Sequence, residues 1–166
     1  WNTADGFGAA MNAFIVQNYG AGKTERVKKG YRASLCTVGI WGILITLVCV
    51  VVPVPIASVF FHEKTAIATA VDYLIIVGYG EAFLCVELMT VGALSGLGRT
   101  RLCSVISIVF TSLRIPLAII LSSGVLGILG IWWALTTTTM MKGIIFTCAF
   151  FIIMRKITDA QRTDII

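Results

Sequence analysis

The sequence predicts an all-α, polytopic membrane helix bundle. Three observations carry that reading. Only 13% of the 166 residues are charged and 58% are hydrophobic, whereas a soluble domain carries about a quarter charged residues. Mean hydropathy is +0.95. The charge deficit also falls in long blocks: Ala33 to Phe61 holds no charged residue over 29 positions, against the roughly 20 needed to cross a bilayer.

Residues 1–18 read as a helix that enters already in progress. Its small residues (Ala4, Gly6, Gly8, Ala9, Ala10, Ala13) permit close helix packing. Asn2, Asp5, Asn12 and Gln17 are too polar for a lipid-facing span and place this helix in the interior. Residues 19–32 follow as a cytoplasmic loop leading into a short amphipathic stretch, with Lys23, Arg26, Lys28, Lys29 and Arg32 against a single Glu25.

The next span covers 33–61, where Pro53 and Pro55 kink or end the helix near its far end. A tight turn holding His62, Glu63 and Lys64 leads into a third segment over 66–97, which returns at the Gly96–Arg101 turn. A fourth span covers 102–121, interrupted by Arg114 and Pro116. Ser122–Gly127 is an uncharged outer turn. The last span covers 128–154, and 155–166 form a polar cytoplasmic tail.

The net charge of +5 reports topology, not a nucleic-acid partner. Inner connections carry five, two and three basic residues, while outer ones carry one and none. Basic loops mark the cytoplasmic side, which places the C-terminus there. The five cysteines are scattered singly among apolar neighbours and read as packing residues. The chain opens at Trp1 inside an apolar stretch, without an initiator Met, and is read as a piece of a longer protein.

Ionisable side chains inside a bilayer are costly, so they face a cavity or a partner. The third segment holds Asp72, Glu81 and Glu87. Asp72 lies near the outer end and meets water. Glu81 and Glu87 lie deeper, about 120° apart on a helix at 100° per residue, so both can border one wide aqueous cavity. A carboxylate so placed can exchange a proton for a cation. The alternative for each is a structural pair with a basic residue such as Arg114 or Lys142. Glu81 is preferred for exchange, because Gly78, Gly80 and Ala82 let backbones approach it.

Lys142 interrupts the last span and either pairs with a carboxylate or lines the cavity. Arg114 is within snorkelling reach of the outer end. Gly92 to Gly96 is a GxxxG packing signal, and Thr136–Thr139 is a polar run that bonds back onto its own helix. Enzyme constellations are missing: there is no HExxH, no GxSxG and no histidine-containing triad. Gly20-Ala21-Gly22-Lys23-Thr24 lacks the phosphate-loop spacing and follows a helix instead of a strand.

With these residues in view, the chain resembles the multidrug and toxic compound extrusion (MATE) transporters. Gln17-Asn18-Tyr19-Gly20-Ala21-Gly22-Lys23 is similar to the family's helix-8-to-loop signature. Gly92-Ala93-Leu94-Ser95-Gly96-Leu97-Gly98-Arg99-Thr100 is similar to its turn after helix 10. Arg114-Ile115-Pro116-Leu117 resembles the helix-11 motif, and Gly130-Ile131-Trp132-Trp133-Ala134 the start of helix 12. Ser95 stands where Arg is common. The acidic position expected on helix 10 falls at Leu84, with Glu81 and Glu87 three residues to either side.

The resemblance implies twelve helices in two six-helix lobes around a central cavity, with this chain as part of the C-terminal lobe. It implies a cation-coupled antiporter, with no cofactor beyond the coupling ion, Na⁺ or H⁺. The expected partners are the lipid bilayer, small organic cationic or amphipathic substrates, and the missing N-terminal lobe of the same protein. The candidate coupling and substrate residues are Glu81, Glu87, Asp5 and Lys142. Two rivals are a lipid-linked precursor flippase of related fold, whose cavity would be more basic, and a non-transporting membrane scaffold.

Overall fold

A computed structural model describes residues 2–124 and 126–163 as six helices. They are α1 (Asn2–Gly20), α2 (Thr24–Val51), α3 (Pro53–Phe60), α4 (Lys64–Gly96), α5 (Thr100–Ser122) and α6 (Ile128–Thr163). Four of them, α2, α4, α5 and α6, are long and apolar enough to cross a membrane. Trp1, Val125, the side chains of Arg162 and Thr163, and the last three residues of the expected tail lie outside the described residues.

The boundaries differ from the sequence expectation in three places. The expected loop over 19–32 is mostly helix, because α2 begins at Thr24. Thr24, Val27 and Tyr31 fall on one helical face and are buried there, which fixes the basic stretch as the opening turns of α2. The expected tail from residue 155 is likewise helical as far as Thr163. The Thr24 hydroxyl donates to Gln161 Oε1 at 2.8 Å and ties the start of α2 to the end of α6. Pro116 does not interrupt α5; a membrane helix tolerates a proline where neighbours re-satisfy the freed carbonyl.

The 33–61 segment does break at its prolines. Pro53 has no amide hydrogen for the helix ladder and pushes Val52 out of helical geometry (φ −125°, ψ 45°), so α2 ends there and the short α3 restarts with proline in its first turn.

The two Gly-rich turns are the same structure. After α1, the Lys23 amide donates to Asn18 O (2.9 Å) and the Gly22 amide to Tyr19 O (3.0 Å). After α4, the Arg99 amide donates to Leu94 O and the Gly98 amide to Ser95 O, both at 2.9 Å. Each is a Schellman cap, with Gly22 (φ 70°) and Gly98 (φ 74°) in the left-handed conformation that closes it. Each cap reverses the chain and a threonine opens the next helix.

α4 is the central element: α1, α2 and α6 pack along it, and α5 packs on α6. In a bilayer such contacts rest on close packing and interhelical hydrogen bonds, without the water exclusion that drives soluble folding. The GxxxG of α4 supplies the closest approach. Gly92 lies against the Gly8 backbone of α1, where any Cβ would overlap, and a Cβ on Gly96 would meet Asn12 O at 2.8 Å.

Hydrogen bonds fix the register. Tyr31 OH bonds Thr90 Oγ1 (2.9 Å), Thr46 donates to Gly78 O (2.9 Å) and Thr136 donates to Ile76 O (3.0 Å). Such bonds average about 0.6 kcal/mol in a membrane protein. Tyr31 also stacks on Phe150 with ring centroids 3.6 Å apart. The alternating helices thereby collect both glycine caps, the basic start of α2 and the Arg155 end of α6 at one end of the bundle.

Candidate functional site

A cavity of about 220 Å³ opens between α4, α5 and α6. α4 contributes Tyr73, Glu81, Leu84 and Glu87, α5 contributes Arg114, and α6 contributes Thr136, Thr139 and Lys142. The 120° between the two glutamates is spanned because the cavity is wide enough to take Leu84 between them. The position where the family resemblance expects an acid is therefore on the same wall as the two acids present.

The glutamates have different surroundings. Glu87 is 5% exposed and its Oε1 lies 2.7 Å from the Lys142 ammonium, itself 9% exposed. Glu87 Oε2 is buried and has no hydrogen-bond partner among the described residues. A buried ion pair of this kind offsets part of the desolvation of both charges, and removing either partner strands the other. Glu81 is half-buried, and among the described residues it has neither an ion pair nor a hydrogen bond.

Arg114 does not snorkel toward the outer end. Its Nε donates to Thr138 Oγ1 at 3.0 Å, and the side chain lines the cavity. The Thr138 hydroxyl in turn donates to its own helix, with Ala134 O at 2.8 Å and Leu135 O at 2.9 Å. Of the Thr136–Thr139 run, Thr138 thus bonds back as expected for a threonine in an apolar helix, while Thr136 reaches across to α4.

Asp5 is not brought to this cavity. It is exposed on α1, away from the face (Ala4, Gly8, Met11, Ile15) that packs into the bundle. The sequence-based expectation of an interior first helix holds for that face alone. Asp72 is exposed on α4 as a residue near a span end should be. Tyr73 carries no sequence signal, since an aromatic in an apolar helix does not show which way it faces, and Leu84 stands out only through the family resemblance.

The MatE family model matches residues 3–120, well over half of the chain. The chain belongs to the MatE family. The match runs from α1 through most of α5, so Glu81, Glu87 and Arg114 lie inside it and Lys142 lies beyond it. A search of curated proteins returns no match. MatE membership makes this a multi-pass membrane transporter, consistent with four helices of membrane-crossing length, and MatE is a transporter family and not an enzyme family.

Proposed function

We propose that this MatE chain forms much of the C-terminal lobe of a cation-coupled antiporter. It exports organic cations or other amphipathic compounds in exchange for Na⁺ or H⁺, working by alternating access against an N-terminal lobe of the same protein. The observation that supports the reading is Glu81: a half-buried carboxylate with no ion pair or hydrogen bond among the described residues, facing a cavity walled by three membrane-crossing helices. A carboxylate in that setting is stabilised by binding a proton or a cation. Coupling ion and substrate then compete for one group, which is what exchange requires.

Glu87 plays a different part. Lys142 is its resident counter-cation, so the pair fixes α6 against α4 and lends the cavity little net charge. Two acids and two bases line the cavity, a balance that favours the antiporter over the more basic cavity of a flippase. The basic end of the bundle faces the cytoplasm by the positive-inside tendency, with the end of α6 on that side. A Lys156→Cys variant is then labelled by a membrane-impermeant thiol reagent only from the cytoplasmic face.

Ethidium efflux from cells expressing the full-length protein tests the mechanism at matched membrane abundance. In Glu81→Gln, efflux falls at least about tenfold, as expected for losing a charge-assisted contact of about 1.5–3 kcal/mol. Undiminished efflux in that variant overturns the assignment of Glu81 as the exchanging group.

A further inference from the structure

On the side of α4 away from the cavity's α5 wall, α2 and α6 lie along α4 and leave between them two recesses in line, which make up a furrow with the buried Tyr31–Phe150 stack at the level where they meet. Both walls are continuous helix faces. On α2, Lys28, Arg32, Leu35, Gly39 and Ile43 follow at three- and four-residue steps. On α6, Arg155, Phe151, Cys148 and Ile144 do the same. Both walls change character at the same level, cationic at the end with the glycine caps and apolar beyond. The apolar part extends about 16 Å from Arg32 to Ile43 at 1.5 Å per residue.

The mouth is a recess of about 290 Å³ holding Lys28, Arg32 and Arg155. Lys28 bonds Glu25 at 2.9 Å and Arg155 lies 4.0 Å from Asp159, whereas Arg32 makes no ion pair among the described residues. Three cations against two carboxylates, Glu25 and Asp159, leave the mouth with an excess of one positive charge, carried by Arg32. The deeper trough, about 300 Å³, is floored by Ala82 and Val86 and is almost wholly apolar.

Gly39 sharpens the reading. Glycine is unfavourable in a helix interior, and elsewhere in α2 a close approach accounts for it: a Cβ on Gly42 would lie 2.6 Å from Ala82 Cα. A Cβ on Gly39 would meet no atom within 4 Å. The trough is therefore open above Gly39, with room for an occupant.

We infer that this furrow binds one anionic phospholipid, its phosphate on Arg32, Lys28 and Arg155 and one acyl chain in the trough over Gly39. The match is in both shape and charge: an anion at the level of the headgroups, joined to an apolar chain that runs into the membrane. Anionic lipids are enriched on the cytoplasmic leaflet, where basic residues beside a span attract them.

Native mass spectrometry of the full-length protein, equilibrated with an equimolar mixture of dioleoyl phosphatidylglycerol and dioleoyl phosphatidylcholine, tests the site. Wild type retains one phosphatidylglycerol with a preference of about thirtyfold or more, in line with two or three basic contacts of about 1 kcal/mol each. The Arg32→Gln/Arg155→Gln double variant, altered only at exposed positions, loses the preference. Gly39→Phe, which fills open space, loses the retained lipid with every charge intact. Glycerol 3-phosphate, a headgroup without chains, fails to displace the lipid. The inference is overturned if wild type shows no headgroup preference, if glycerol 3-phosphate displaces the lipid, or if either variant retains phosphatidylglycerol as wild type does.

Discussion

Glu81 and Glu87 sit less than two turns apart on α4 and line one cavity, and the bundle treats them in opposite ways. Glu87 is buried against Lys142 and belongs to the architecture. Glu81 is half-buried, and among the described residues it has no ion pair or hydrogen bond to hold it. The same side chain on the same helix acquires its role from what the next helix sets opposite it. α6 places Lys142 opposite one glutamate, and α5 keeps its own cation, Arg114, tied to Thr138.

The comparison breaks most visibly at Lys142. Lys142→Met strands the Glu87 charge in the interior and costs about 3–5 kcal/mol, read as a large drop in the unfolding temperature of the purified full-length protein. If that variant unfolds like wild type, Glu87 is not held as an ion pair. The double variant Glu87→Leu/Lys142→Met removes both charges together and returns stability to within about 1 kcal/mol of wild type. Recovery in the double but not in either single variant is the signature of a structural pair.

Smaller effects sharpen the other side. Thr138→Val takes away the acceptor of Arg114 and costs about 1 kcal/mol, measurable in the same thermal assay. Glu81→Gln changes stability least, by less than about 1 kcal/mol, because no protein contact is lost; its effect appears in efflux instead. A large destabilisation by Glu81→Gln would mean that this carboxylate too is part of the framework, and the contrast between the glutamates would collapse.

Much of the bundle was legible in the sequence because its signals are local. Charge-free blocks mark spans, Pro53 ends α2 through its missing amide hydrogen, and Gly22 and Gly98 close two caps that only a left-handed residue completes. From the sequence, the basic stretch from Lys23 reads as a loop leading into a short amphipathic stretch; that it is the start of α2 shows in the 24, 27, 31 burial pattern, which needs a neighbouring helix to pack on. The candidate site was half legible. Ionisable residues in apolar spans pointed to Glu81, Glu87 and Lys142, but the same argument drew in Asp5, which the bundle leaves on an exposed face.

The sequence by itself determined that this chain is a membrane helix bundle, where the chain reverses, and which few residues carry charge inside it. Those follow from hydropathy, proline and glycine, each acting within a turn or two of chain. Only the tertiary structure decided that Glu87 is spoken for, that Glu81 is not, and that Arg114 turns to Thr138. Those facts depend on which faces of α4, α5 and α6 meet, and residues as far apart as Glu87 and Lys142 become partners only when the helices pack.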